Sequence, residues 1–144
     1  MARLAREVHI AAPASAVWAV MMDVEAWPTW ASQFKRLERV DAGPLALGSR
    51  IRVRPNWLPG STWQVTEYET ERSFTWAASL FPGLRLSGGH RLTHRDDGVT
   101  AEFSLEAGGP LGTLLSPLLR RTVFSRNTRN ATDGLKRHVE ARGT

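Results

Sequence analysis

The 144-residue chain contains no cysteine. That excludes disulfides, thiolate zinc sites and Cys-based redox chemistry, and it fits a cytoplasmic protein. No stretch approaches the roughly 18 consecutive apolar residues of a membrane span. The opening Met-Ala-Arg-Leu-Ala-Arg reaches charge too soon for the apolar core of a secretory signal. There is no Gly-x-Ser-x-Gly elbow, phosphate-binding loop or dinucleotide fingerprint, and no zinc-finger or aromatic RNA-binding spacing. These absences remove the motif-defined enzyme classes and give no reason to expect a cofactor. No repeat, linker or composition break divides the chain, so residues 1–144 read as one domain.

What is present is ordinary in bulk and unusual in detail. Hydrophobic residues make up 42% and charged residues 23%, as in a soluble globular domain. Six tryptophans exceed what a small core needs, and surplus large aromatics often line concave apolar sites. The net charge of +5 is spread over Arg3, Arg6, Lys35, Arg36, Arg39, Arg50, Arg52, Arg54 and the C-terminal region. That dispersion describes a solvated basic surface and no nucleic-acid partner. Arg120, Arg121, Arg126 and Arg129 leave room for peripheral contact with an anionic surface.

Periodicity orders the elements. Residues 4–10 alternate as a strand with Val8 and Ile10 on one face. Pro13 and Ser15 onward predict a helix to about Asp23, and Pro28 forces a separate short segment over Glu25–Trp30. Strands follow over Arg36–Val40 and Arg50–Arg54, where Ile51 and Val53 face inward and the three arginines outward. Asn56–Gly60 is a loop with apolar Trp57 and Leu58. Ser61–Thr70, Arg72–Leu80, Leu84–Arg95 and a last strand through Leu105 complete the run. Phe74, Trp76, Ala78 and Leu80 share one face, His90 lies on the inward face of the next strand, and Gly88-Gly89 suggests a bulge or bend. A run of strands with segregated helices is an α+β pattern with an antiparallel sheet.

From Pro110 to about Ala141 the pattern predicts one long amphipathic helix, with Pro117 starting or kinking its main rod. Its apolar arc holds Leu119, Val123, Phe124, Asn127, Asn130, Ala131, Gly134, Leu135 and His138. Thr132 and Asp133 fall mostly on the polar side. Small and amide side chains in the middle of that arc leave space beneath the helix or offer it hydrogen bonds.

Ile10-Ala-Ala-Pro13 through Trp18, with Asp23 through Trp27-Pro28-Thr-Trp30, resembles the opening of the SRPBCC (START/Bet v 1-like) superfamily. Within it the chain is similar to the bacterial polyketide cyclase/dehydrase-like group. Gly48, Trp63-Gln-Val65, Phe74-Thr-Trp76, His90-Arg-Leu92 and the late helix extend the resemblance over essentially the whole chain. It implies a helix-grip fold: a seven-stranded curved antiparallel sheet around a long C-terminal helix, with a cavity between them and two short helices closing one end. It also implies a hydrophobic small-molecule ligand such as a lipid or polyketide. A fold that hosts many functions does not choose among them.

The candidate ligand-binding residues are Trp30, Phe34, Trp57, Trp63, Trp76, His90, Phe103, Leu119, Val123, Asn127 and Asn130. The competing reading of the aromatics is that several of them only fill the core. His90 and His94 would pair on a helix. On a strand they stand about 13 Å apart and cannot share an ion. No carboxylate dyad accompanies them, so no catalytic or metal residue is assigned. A cyclase that shapes a reactive chain needs few catalytic groups, so absent motifs leave catalysis open. Binding of a hydrophobic or amphipathic molecule is the leading reading. A cyclase or dehydratase built on His90, Asn127 and Arg52 is one alternative, and a partner-binding module is another. Monomer and homodimer both remain open.

Overall fold

A computed structural model describes residues 2–56, 60–119 and 125–142. Seven strands form one antiparallel sheet: β1 (Ala2–Ile10), β2 (Phe34–Arg39), β3 (Arg50–Pro55), β4 (Ser61–Glu69), β5 (Ser73–Phe81), β6 (Leu84–Arg95) and β7 (Gly98–Gly108). Their order is β1-β7-β6-β5-β4-β3-β2, a meander closed by pairing the first strand to the last, with β1 and β2 as its edges. Period-2 burial is plain on β6, where Leu84, Leu86, Gly88, His90 and Leu92 are buried and Arg85, Arg91 and Thr93 lie on the other face.

Helix α1 (Ala14–Met22) starts where Pro13 ends the strand geometry, its carbonyl accepting from Ala16 and Val17 N–H. A 3-10 segment, Val24–Thr29, follows and contains Pro28. It lies beside β2. The single C-terminal rod expected from the sequence is two helices: α2 (Gly109–Leu119), which contains Pro117, and α3 (Ser125–Arg142). Gly109 makes the turn into α2 at φ 82°, and Gly83 on the opposing turn accepts from Leu111 N–H.

α3 runs along the β1 edge. Arg6 donates to Asp133 at 3.2 Å, Lys136 Nζ to the His9 carbonyl at 2.8 Å, and Ala11 N–H to Glu140 at 3.0 Å. Among its described side chains, Ala131, Thr132, Gly134, Leu135 and Val139 are buried. Thr132 is therefore interior, not on the polar side. Wedged between β1 and the short helices, α3 buries a wider arc than a helix resting on one surface, and Thr132 Oγ1 satisfies itself on the Arg129 carbonyl.

Two glycine expectations change in the structure. The β6 ladder runs through Gly88 and Gly89 without a shift, and the irregularities fall at Phe34/Arg36, Val65/Glu67 and Ser79/Phe81. The glycines instead make room for neighbours. A Cβ on Gly88 would stand 2.7 Å from Trp76 Nε1, and one on Gly89 would meet Ser104 Oγ. At Gly134 the anticipated space is taken, because a Cβ there would overlap the Trp30 carbonyl oxygen.

Candidate functional site

The inner face of the sheet carries a continuous aromatic surface. Cross-strand register places Phe74 opposite His90 and His90 opposite Phe103. The Phe74 and His90 rings stack at 4.2 Å and 13°, and Phe103 meets His90 edge-on at 4.7 Å. Trp76, laid over Gly88, joins His90 at 5.5 Å and Trp63 at 5.7 Å. Trp27 reaches this surface from the 3-10 segment. Its ring lies 5.1 Å from Trp76, 5.3 Å from His90, 5.2 Å from Trp30 and 5.7 Å from Phe34. Its indole N–H donates to the Met21 carbonyl at 3.0 Å, and only 1% of the residue is exposed. Trp30, Phe34, Trp63, Trp76, His90 and Phe103 thus belong to one ring network, joined through Trp27 and Phe74.

Trp27 reads in the sequence as a core anchor. Its buried position agrees with that, but its central place among the candidate ligand residues is visible only in three dimensions. Trp57 and Val123 lie outside the described residues, as do the side chains of Leu119, Asn127 and Asn130. Arg52 is exposed on β3, as its alternation requires, and is remote in facing from the aromatic surface. His94 is exposed near the β6–β7 turn while His90 is buried.

His90 is held neutral. Burial among rings penalises the imidazolium and lowers its pKa from 6.5 to about 3, opposed only by the bond to Phe74. Nδ1 lies 3.2 Å from the Phe74 carbonyl, so this nitrogen carries the proton and Nε2 carries the lone pair. Such a ring accepts a hydrogen bond and is a poor base at neutral pH.

Buried donors on the β2 side lack partners. Trp30 Nε1 is buried without a hydrogen bond, in a residue that is 6% exposed. Arg39 Nε and Nη2 are in the same position. Arg39 reads in the sequence as one of the solvated basic residues, and the structure shows it only partly exposed. It pairs with Ile51, which pairs with Trp63, so it lies on the inward face of the edge strand. The bulge between Phe34 and Arg36 sets that facing. Among the described residues, no group of three or more His, Asp or Glu is placed to hold a metal ion.

An aromatic-lined antiparallel sheet gripping a C-terminal helix is a helix-grip, Bet v 1-like architecture. Residues 1–140 match the sequence family described as polyketide cyclase / dehydrase and lipid transport, and the chain belongs to that family. Among solved structures it is similar to the Zhui aromatase/cyclase from Streptomyces sp. R1128, with TM-score 0.76 and 19% identity over 99% of this chain and 95% of that one. It is also similar to norcoclaurine synthase from Thalictrum flavum, with TM-score 0.70 and 13% identity over 95% and 85%. A third similar structure is Ara h 8.0201, with TM-score 0.73 and 12% identity over 96% and 97%. At these identities the likeness concerns the fold. No curated protein matches the sequence significantly. No helix among the described residues is long and apolar enough to cross a membrane.

Proposed function

We propose that the chain binds a hydrophobic or amphipathic small molecule, of the lipid or polyketide kind, against the aromatic inner face of its sheet. The observation that carries this reading is the Trp30 indole N–H, buried beside a contiguous aromatic surface and left without an acceptor. An unmade buried hydrogen bond costs about 1–3 kcal/mol, and a ligand oxygen reaching Trp30 removes that cost. His90 Nε2 supplies the complementary acceptor for a ligand hydroxyl. The similar folds of an aromatase/cyclase and of norcoclaurine synthase are consistent with an organic ligand.

The cyclase or dehydratase reading has less support. A His90 with a pKa of about 3 is mismatched to proton transfer at neutral pH, and Arg52 faces solvent. Native mass spectrometry of the purified protein, followed by extraction and identification of what is bound, tests the leading reading. Tryptophan quenching by a lipid and polyketide panel gives affinities, and Trp30→Phe, which keeps the ring and removes the donor, is expected to weaken an oxygen-bearing ligand about 3- to 10-fold. A protein that carries nothing and quenches with nothing overturns the reading.

A second reading, contact with an anionic bilayer, is favoured by helix α2. Leu111, Leu114 and Leu118 are exposed there, Leu114 by 74%. No acidic residue occurs from 107 to 132, where Arg120, Arg121, Arg126 and Arg129 fall. Exposed leucines followed in sequence by a basic, acid-free stretch have the composition of an interfacial segment. Co-sedimentation with phosphatidylglycerol-containing vesicles, lost in Leu114→Glu and at high salt, supports it. Equal recovery with and without vesicles removes it.

A further inference from the structure

We propose that Arg39 is an anion anchor, so that the ligand is an amphiphile with a carboxylate head. This rests on the ligand-binding reading above and names the class of molecule within it.

Arg39 is the wrong residue for its place unless something pairs it. Arg39 is half-buried: part of the residue reaches water, but one side of its guanidinium is shut off from it. Its two buried, unpartnered nitrogens are Nε and Nη2. These two N–H groups point the same way along one side of the planar fork, the side that holds both oxygens of a carboxylate in parallel hydrogen bonds. The empty valences are therefore paired in direction as well as in number.

The chain's own carboxylates nearby are committed elsewhere. Asp41 accepts from the Arg50 backbone at 2.7 Å and from its Nη2 at 2.9 Å; that pairing holds its carboxyl below the usual range, and the Arg39 charge adds to the effect through space without a hydrogen bond between them. Glu38 pairs with Arg36 at 3.0 Å. Glu25 accepts from the Arg39 backbone N–H at 3.2 Å, which fixes the strand and leaves the guanidinium as it is. Arg39 takes part in none of the salt bridges among the described residues.

Its position suits a head group. Arg39, Ile51 and Trp63 are successive cross-strand partners on the inner face, and Trp63 leads on to Trp76 and His90. Strands are spaced about 4.8 Å apart, so the Arg39 backbone stands roughly 10 Å from the Trp63 strand. Ile51 is fully buried, so a tail running from a carboxylate at Arg39 to the aromatic rings has to displace the side chains that cover Ile51. The sheet edge would hold the charged end and the centre of the sheet the apolar end.

The test compares dodecanoate with dodecanol, both below their aggregation concentrations at pH 8, by tryptophan quenching and calorimetry. Dodecanoate is expected to bind the unmodified protein at least about tenfold tighter, the scale of one charge-assisted bidentate pair. Arg39→Met should erase that preference by weakening the acid while the alcohol changes less than about twofold. Arg39→Lys, which keeps the charge and loses the fork, should retain part of it. Equal binding of acid and alcohol by the unmodified protein overturns the anchor, whether or not the Met variant folds. So does a preference that survives in Arg39→Met. In both cases the apolar site stands. If neither molecule, nor any member of the wider panel, binds, the ligand-binding reading falls and the anchor with it.

Discussion

The two edges of the sheet are finished in opposite ways. At the β1 edge, α3 lies along the strand and its polar groups are matched. Glu140 takes the Ala11 N–H and the Lys136 ammonium, Lys136 also takes the His9 carbonyl, and Arg6 meets Asp133. Edge strands invite pairing by other chains, and a helix pinned along one removes that hazard. At the β2 edge the 3-10 segment provides the cover; Arg39 Nε and Nη2 are buried there without partners, as is Trp30 Nε1 at the end of the 3-10 segment. A fold that satisfies one edge so fully shows what its sequence can do. The unmet donors at the other edge are where a bound molecule would complete the structure.

Trp27 ties the two halves together, so its loss should produce the largest effect. Its ring spans Trp30 and Phe34 on one side and Trp76 and His90 on the other. Trp27→Ala is expected to destabilise the protein by about 3–5 kcal/mol in urea unfolding. A loss under about 1 kcal/mol would mean that the aromatic surface is not packed through this residue.

Next comes a pH effect centred on His90. Its folded pKa of about 3 lies below the ordinary value of 6.5, so between those limits the unfolded chain binds the extra proton. The stability associated with its neutral form is fully present above about pH 6.5 and is lost as pH falls toward 3. The slope is about 1.4 kcal/mol per pH unit for one proton. Glu140 and Asp41, whose pKa values are lowered by their hydrogen bonds, lose stability in the same direction but only in the carboxylate range. Between pH 6.5 and 5 the slope should therefore disappear in His90→Phe. A slope unchanged by that substitution would place the titrating group elsewhere.

Gly134→Ala tests the seam between α3 and the 3-10 segment. In an exposed helix the change gains up to about 1 kcal/mol, but here the new methyl meets the Trp30 carbonyl. A net loss of about 1–3 kcal/mol is expected, because backbone must yield. A gain in Tm would show that the helix does not sit on Trp30.

That seam also shows how much of the molecule the sequence discloses. Strand parity is legible: Phe74, Trp76, His90 and Phe103 follow period 2 and face inward, and Arg50, Arg52 and Arg54 face out. The family resemblance supplies the grip topology. Gly134 and Ala131 look like room beneath a helix, because nothing in sequence announces that the carbonyl of Trp30, about a hundred positions away, fills it. Arg39 is hidden by the β2 bulge. Counting in twos from Phe34 turns Arg39 outward, and the one-residue slip before Arg36 turns Leu37 and Arg39 inward together. The ring network is legible in its members. Its joining residue, Trp27, depends on how the 3-10 segment folds over the sheet.

The smallest effects separate the two edges most directly. Glu140→Gln keeps the shape of the β1 clasp and removes its charge, and half-exposed pairs of this kind contribute about 1 kcal/mol or less, so a small loss is expected. Arg39→Met at the β2 edge is expected to stabilise the ligand-free protein by about a few tenths of a kcal/mol, since it replaces unpaired buried donors with a thioether of similar reach. Thermal unfolding of both variants, measured after delipidation, decides the matter. If Arg39→Met lowers Tm as much as Glu140→Gln, then Arg39 is already paired within the folded chain, and the contrast between the edges disappears. If its Tm holds while saturating dodecanoate raises the Tm of the unmodified protein alone, the β2 edge is completed by ligand.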